Sequence, residues 1–269
     1  MRNHHPHRSV HGGRHELGQN FLIHRSTIRG IVDLVAATRG PILEVGAGDG
    51  ALTIPLARLG RDLTAIDVDE HRVQALRRRL PRVCVQQADA LQHPLDHPVV
   101  VGNVPFHLTT PILRRMLSRR GWHHAILLTQ WEVARKRAGV GGGTMMSAQA
   151  APWFEFALHS RVPAQHFRPM PSVDGGILRV TRRGAPLVDP RERAAYERFV
   201  RDVFTGTGSG LAALVQRSGG VTRAQARAVI GELGLADHRL PRDLAPEHWA
   251  ALWRATASRA TASRSAARR

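Results

Sequence analysis

The chain has 269 residues, with 39 Lys and Arg against 21 Asp and Glu, a formal charge of +18 and one cysteine. That length holds one large domain with an appendage. No apolar run approaches the roughly 18 residues of a membrane span, the opening MRNHHPHRSVHGG lacks the apolar stretch of a secretory signal, and a lone Cys84 excludes an internal disulfide and suits a reducing cytoplasm. Lys136 is the only lysine, so arginine carries the excess charge. Guanidinium groups pair bidentately with phosphate and stack on bases, so the balance predicts a nucleic-acid partner rather than a membrane surface.

Residues 1–14 mix His, Arg, Gly and Pro without periodicity and read as a disordered basic arm. His4, His5, His7 and His11 have no Cys or carboxylate beside them to complete a metal site. LGQNFL (Leu17–Leu22) then leads to Ser26-Thr27 and to Ile28, Ile31, Val32 and Val35 at helical spacing, a capped amphipathic helix. A strand over Pro41–Val45 runs into EVGAGDG (Glu44–Gly50) and another apolar-periodic stretch. Strand, glycine turn and helix in immediate succession let a ligand approach the backbone closely. The next strand, Leu63–Ile66, ends on Asp67, about twenty residues after the glycines, where an α/β nucleotide fold places a carboxylate for ribose hydroxyls.

The alternation continues with a helix over Glu70–Leu80 and a strand over Val83–Gln86, in which Cys84 reads as buried. ADAL (Ala88–Leu91), a strand over Val99–Val101 and GNVPF (Gly102–Phe106) follow. Beyond them come a helix to about Arg119, a strand over His124–Thr129, a helix over Trp131–Arg137, a loop at residues 141–144 and two apolar runs, Phe154–Val162 and Gly176–Thr181. The fold class is α/β with a mostly parallel sheet and helices on both faces. Ligands of such sheets bind at the carboxyl ends of the strands, where Asp67, Asp89 and Asn103 all fall. In GNVPF, Asn103 offers one acceptor and two donors, Pro105 stiffens the corner and biases Val104 to an extended form, and Phe106 offers a π-face. Such a corner suits a flat, amine-bearing base. The domains are then residues 15–184, a helical domain over 185–254, and a disordered Arg-rich tail over 255–269.

LGQNFL, EVGAGDG, AIDVD (Ala65–Asp69), ADAL, GNVPF and FRPMPSVDGG (Phe167–Gly176), in this order, resemble the ribosomal RNA adenine dimethyltransferases, the superfamily of the small-subunit KsgA/Dim1 enzymes and the large-subunit Erm enzymes. QWEVARKRAGVGGGTMMSAQ (Gln130–Gln149) followed by PWFEF (Pro152–Phe156) is similar to the Erm branch. The resemblance implies a monomeric, Rossmann-like class I methyltransferase with a small helical C-terminal domain. It would use S-adenosylmethionine to methylate N6 of one adenine of large-subunit 23S ribosomal RNA once or twice, conferring macrolide, lincosamide and streptogramin B resistance. The alternatives are a small-subunit dimethyltransferase and a non-catalytic RNA-binding relative. The cofactor residues implied are Gln19, Asn20, Leu22, Glu44, Gly46, Ala47, Gly48, Asp67, Val68, Asp89, Ala90 and Asn103; no metal is implied. Asn20, Gly46 and Gly48 would hold the methionine end, Asp67 the ribose and Asp89 the adenine. Asn103, Val104, Pro105 and Phe106 form the catalytic corner; Phe106 stands where many relatives carry Tyr. Arg114, Arg115, Arg119, Arg120, Arg135, Lys136 and Arg137 are expected to grip RNA.

Overall fold

The structure, a computed structural model, describes residues 20–266. The expected arm at residues 1–14, and Gln19 with it, lie outside the described residues. A short strand β1 (Phe21–Leu22) precedes helix α1 (Arg25–Ala36), β2 (Ile42–Val45), α2 (Thr53–Ala57), β3 (Leu63–Asp67), α3 (Glu70–Arg79), β4 (Cys84–Gln87) and β5 (Val99–Asn103). Next come α4 (Thr109–Ser118), β6 (His124–Gln130), α5 (Trp131–Arg137), α6 (Met145–Ala150), β7 (Phe154–Val162), β8 (Phe167–Arg168) and β9 (Gly175–Arg182). Helices α7 (Arg193–Thr205), α8 (Leu211–Gly219), α9 (Arg223–Glu232) and α10 (Pro246–Ala266) close the chain.

Seven strands form one sheet in the order β4-β3-β2-β5-β6-β9-β7, and β1 pairs with β8 in a separate two-stranded ribbon. The pairs β3–β4, β2–β3 and β2–β5 are parallel, as expected of strands joined through helices. Both faces of the central strands are covered: all four residues of β2, Glu44 among them, and Val99, Val100 and Val101 of β5 are buried. Ile31 and Val35 of α1, Leu52 and Leu56, and Ile126, Leu128 and Phe167 share one core cluster with them. Gly102 is required where β5 runs beside β2, because a Cβ there would lie 2.3 Å from the Val45 carbonyl oxygen.

Several expectations are corrected. Cys84 is exposed; β4 is an edge strand, and alternation turns Val85 inward and Cys84 out. The N-cap of α1 is His24, whose side chain accepts from the Thr27 N–H, so the Ser26-Thr27 pair lies inside the helix. Residues 141–144 form a loop, as expected, but it leads into a helix that was not expected, α6, which Thr144 caps through its hydroxyl. The expected tail at 255–269 is helical as far as Ala266, in keeping with its Ala and Arg content.

The chain divides into two compact units, and the division does not follow residue 184. The described part of one takes in residues 20–122, 126–131 and 161–177; the other takes in 123–125, 132–160 and 178–266. Residues 132–160 and 178–184 thus group with the C-terminal helices. Aromatic packing organises this second unit: Trp153 meets Tyr196 edge-on at 5.5 Å, and Phe204 stacks on Trp249 at 5.5 Å. The buried polar ends are satisfied, Tyr196 Oη donating to the Ala148 carbonyl and Trp153 Nε1 to that of Val188. Burial pushes the Tyr196 hydroxyl pKa far above its ordinary value. No helix among the described residues is long and apolar enough to cross a membrane.

Candidate active site

Parallel pairing brings the carboxyl ends of β2, β3 and β5 together. Over them opens a cleft of about 700 Å³, counting its open mouth, within the size range of small-molecule sites. It collects Asn20, Gly46, Gly48, Asp67, Val68, Asp89 and Ala90, and the whole corner Asn103, Val104, Pro105 and Phe106. These come from five separated stretches of sequence.

The glycine turn leaves β2 with Gly46 at φ 76° and Gly48 at φ 53°, values that only glycine adopts without strain. The N–H groups of its first three residues are spent within the protein. Gly46 and Ala47 donate to the Ile66 carbonyl at 2.9 and 3.1 Å, and Gly48 donates to Asp67 Oδ2 at 2.8 Å. Gly46, Ala47 and Gly48 therefore offer a ligand close approach rather than N–H donors. Asp67 is 5% exposed, and its Oδ1 accepts from the Asp69 N–H at 2.9 Å. A carboxylate has about four lone-pair sites, so each oxygen of Asp67 keeps capacity toward a hydroxyl in the cleft. Asp89 is held likewise, accepting from the Leu91 N–H at 2.8 Å and from Gln92 Nε2 at 3.2 Å. Arg115 of α4 fixes that loop from behind by donating to the Gln92 and His93 carbonyls.

At the β5 corner, Asn103 Nδ2 donates to the Asn20 carbonyl at 2.7 Å. This bond sets the amide's orientation and leaves Oδ1 as an acceptor. The Val104 N–H is bound to the Leu128 carbonyl. The 3₁₀ turn Phe106–Leu108 draws its first bond from the Pro105 carbonyl, so it does not consume that of Val104. Phe106 is half-buried and meets Phe167 edge-on at 6.2 Å. The corner thus presents two oxygen acceptors and a ring face, which suits an amine on a flat heterocycle.

Three expected cofactor residues, Leu22, Glu44 and Ala47, line an adjoining hollow with Gly46, Gly48 and Asn103 rather than this cleft. Leu22 is 2% exposed and part of the core; strand alternation turns its neighbour Phe21 to the cleft instead. Ala47 packs against Ala65, Val73, Leu76 and Val85. Glu44 is 1% exposed. Burial pushes the Glu44 carboxyl up to about 8, with Asp67 adding to the rise and Thr53 opposing it, and its Oε2 has no hydrogen-bond partner. Besides Phe21, sequence reasoning missed Ile66, Leu108 and Ile112 as apolar walls. The spacing of four between Leu108 and Ile112 was the available signal.

The basic residues expected to grip RNA are unequal. Arg115 holds the Asp89 loop, Arg135 is paired with Glu132 at 2.9 Å, and Arg137 donates to Thr144 Oγ1 at 2.8 Å. Arg114, Arg119, Arg120 and Lys136 are exposed. Among the described residues no group of three or more His, Cys, Asp or Glu is arranged to hold a metal ion.

The residues present fit an adenosine-bearing methyl donor. Bare glycine backbone, a buried carboxylate with spare acceptor capacity, a second carboxylate and apolar walls meet a chain end, a ribose, an exocyclic amine and a purine ring. Residues 10–252 match the family model described as "Ribosomal RNA adenine dimethylase". The chain is 49% identical over 251 residues to the mycinamicin-resistance protein MyrB of Micromonospora griseorubida, covering 90% of this chain and 79% of that protein. It is also 49% identical over 211 residues to an rRNA adenine N-6-methyltransferase of Corynebacterium diphtheriae, covering 77% and 83%. Among solved structures, the 23S rRNA methyltransferase ErmE superposes with a TM-score of 0.80 at 32% identity, covering 88% of this chain and 99% of that one. The chain belongs to the ribosomal RNA adenine dimethylase family.

Proposed function

We propose that the protein methylates N6 of one adenine in 23S ribosomal RNA and thereby protects the ribosome from macrolide, lincosamide and streptogramin B drugs. It acts as a cytoplasmic monomer. The observation that carries the reading is the Asn103 amide, held through Nδ2 by the Asn20 carbonyl in the same cleft as Val104 and Phe106, which leaves Oδ1 as the acceptor for a base. The likeness to MyrB and ErmE supports the large-subunit substrate and the resistance.

S-adenosylmethionine supplies an electrophilic methyl on a sulfonium. Asn20, Gly46 and Gly48 would hold its methionine end, Asp67 its ribose, and Asp89, with Val68 and Ala90, its adenine. The target amine is a poor nucleophile because its lone pair is delocalised into the ring. Oδ1 of Asn103 and the Val104 carbonyl accept its two hydrogens, which favours a pyramidal nitrogen and aims the lone pair. Phe106 stacks on the base, and Pro105 holds the corner rigid. Positioning of this kind is worth about 7 to 11 kcal/mol in well-oriented systems. No strong general base is needed, since the ammonium product loses its proton to water. Exposed Arg114, Arg119, Arg120 and Lys136 supply phosphate contacts.

The test is incubation with labelled S-adenosylmethionine and, separately, protein-free large-subunit RNA, small-subunit RNA and immature small subunits, with label mapped by primer extension. Label on a single large-subunit adenine is expected. Label on adjacent small-subunit adenines would assign the protein to the other branch, and no label on any RNA would favour a binding role.

A further inference from the structure

The loop between β8 and β9 is the part of FRPMPSVDGG that the proposed chemistry leaves without a task. Its two ends are fixed. At entry, Phe21 pairs with Arg168 and Leu22 with Phe167 in the β1–β8 ribbon. At exit, the Asp174 carbonyl accepts from the Trp131 N–H, while its carboxylate accepts from the Ala164 N–H at 2.8 Å and Arg161 Nε at 2.6 Å. Those two donors, the backbone one foremost, hold the Asp174 carboxyl below the usual carboxylate range. The only acid of the loop is therefore committed to the fold and not set against a phosphate.

Between these anchors the side chains stand outward. Met170 is 62% and Val173 44% exposed, and Ile23, beside the same ribbon, is 48% exposed. Arg168 is exposed next to them. Met170 follows Phe167 by three residues, so their Cα atoms are within about 11 Å, and Phe167 touches the Phe106 ring edge-on. An apolar tip next to a guanidinium thus follows directly on a ribbon whose Phe21 lines the cleft and whose Phe167 touches the Phe106 ring.

A base reaches such a pocket only by leaving its stack, and proteins that unstack bases commonly insert an apolar side chain into the step. Methionine suits an irregular gap, being unbranched and polarizable, with no charge to desolvate. We infer that Met170, backed by Val173, is the wedge that fills the space vacated by the target adenine, with Arg168 on an adjoining phosphate. The inference rests on the reading of the Asn103 corner as the base site.

The experiment uses the full chain and a hairpin RNA bearing the target adenine, or 2-aminopurine in its place to report unstacking by fluorescence. For Met170→Ala we expect hairpin affinity within about threefold of wild type, unchanged S-adenosylmethionine affinity, a smaller rise in fluorescence, and kcat/KM lower by about tenfold or more. Met170→Leu should recover most of the loss, and Val173→Ala should show a lesser one. Wild-type brightening and kcat/KM in Met170→Ala overturn the wedge, as does a loss that follows RNA affinity alone or that Met170→Leu does not recover. If wild type itself neither labels nor brightens the hairpin, the base-site reading has failed first.

Discussion

At the carboxyl end of β2 the chain bares its backbone: Gly46 and Gly48 take positive φ values, and the carboxylate that braces Gly48 comes from the next strand. At the carboxyl end of β5, the adjacent strand, it bares side chains instead. There the amide of Asn103 is locked by one bond, proline fixes the following turn, and a phenylalanine stands edge-on to Phe167. The first arrangement makes room for a ligand bound by shape and by acids set behind it. The second aims two acceptors at one amine. Neighbouring ends of one sheet can thus divide donor and acceptor between them, and substitutions at each should separate the two.

The largest effect is expected where the two strands touch. Gly102→Ala would set a Cβ 2.3 Å from the Val45 carbonyl oxygen, so β5 must part from β2. We expect a loss of about 3 kcal/mol or more, read as a collapse of the thermal transition; a wild-type melting temperature would show that the strands have slack. Asn103→Ala should lower the transfer rate about 100- to 1,000-fold, by analogy with removal of one preorganised polar contact. Its effect on donor affinity should stay within a few fold, from loosening of Asn20, and equal losses in both would break the division.

Glu44 sharpens the comparison by pH. Folded, it keeps its proton up to about pH 8; unfolded, it loses it near 4.5. Between those values the unfolded state holds fewer protons, so stability falls as pH rises through the window, by at most about 1.4 kcal/mol per unit. Glu44→Gln removes that slope. In urea titrations the variant should gain a few kcal/mol on wild type between pH 5 and pH 8, and parallel pH dependences would contradict a neutral, buried Glu44. The smallest change is at the ring. Phe106→Leu should cost about 1 to 3 kcal/mol of transition-state binding through lost stacking, seen in kcat/KM, whereas Phe106→Tyr keeps the face and should retain most activity.

The parts of this site that were legible in the sequence are those specified locally. Val99–Val101 is a continuous apolar run and Ile42–Val45 one broken only by Glu44, each ended by glycine, as buried parallel strands favour, and Asp67, Asp89 and Asn103 follow from standing at or just beyond strand ends. What escaped depends on partners distant in sequence. A two-residue strand such as Phe21–Leu22 has no periodicity to detect; only pairing with Phe167–Arg168 defines it, and that pairing decides that Phe21 rather than Leu22 faces the cleft. Glu44 sits in a motif that invites a binding role, yet its side chain is buried among core residues beside the cleft. The unit boundary was hidden because residues 132–160 continue the same alternation while grouping with the C-terminal helices. The Arg115 side chain could not be told from its exposed neighbour Arg114 until α4 showed which of them faces the Asp89 loop.

The most direct measurement of the division is a pair of titrations on two variants. S-adenosylmethionine binding is followed by calorimetry and hairpin RNA binding by fluorescence, for Asp67→Asn and Phe106→Ala. The account predicts that Asp67→Asn loses donor affinity at least tenfold and keeps RNA affinity, while Phe106→Ala keeps donor affinity within about threefold and loses the 2-aminopurine response. Donor affinity untouched in Asp67→Asn, or both ligands lost together in each variant, would contradict it.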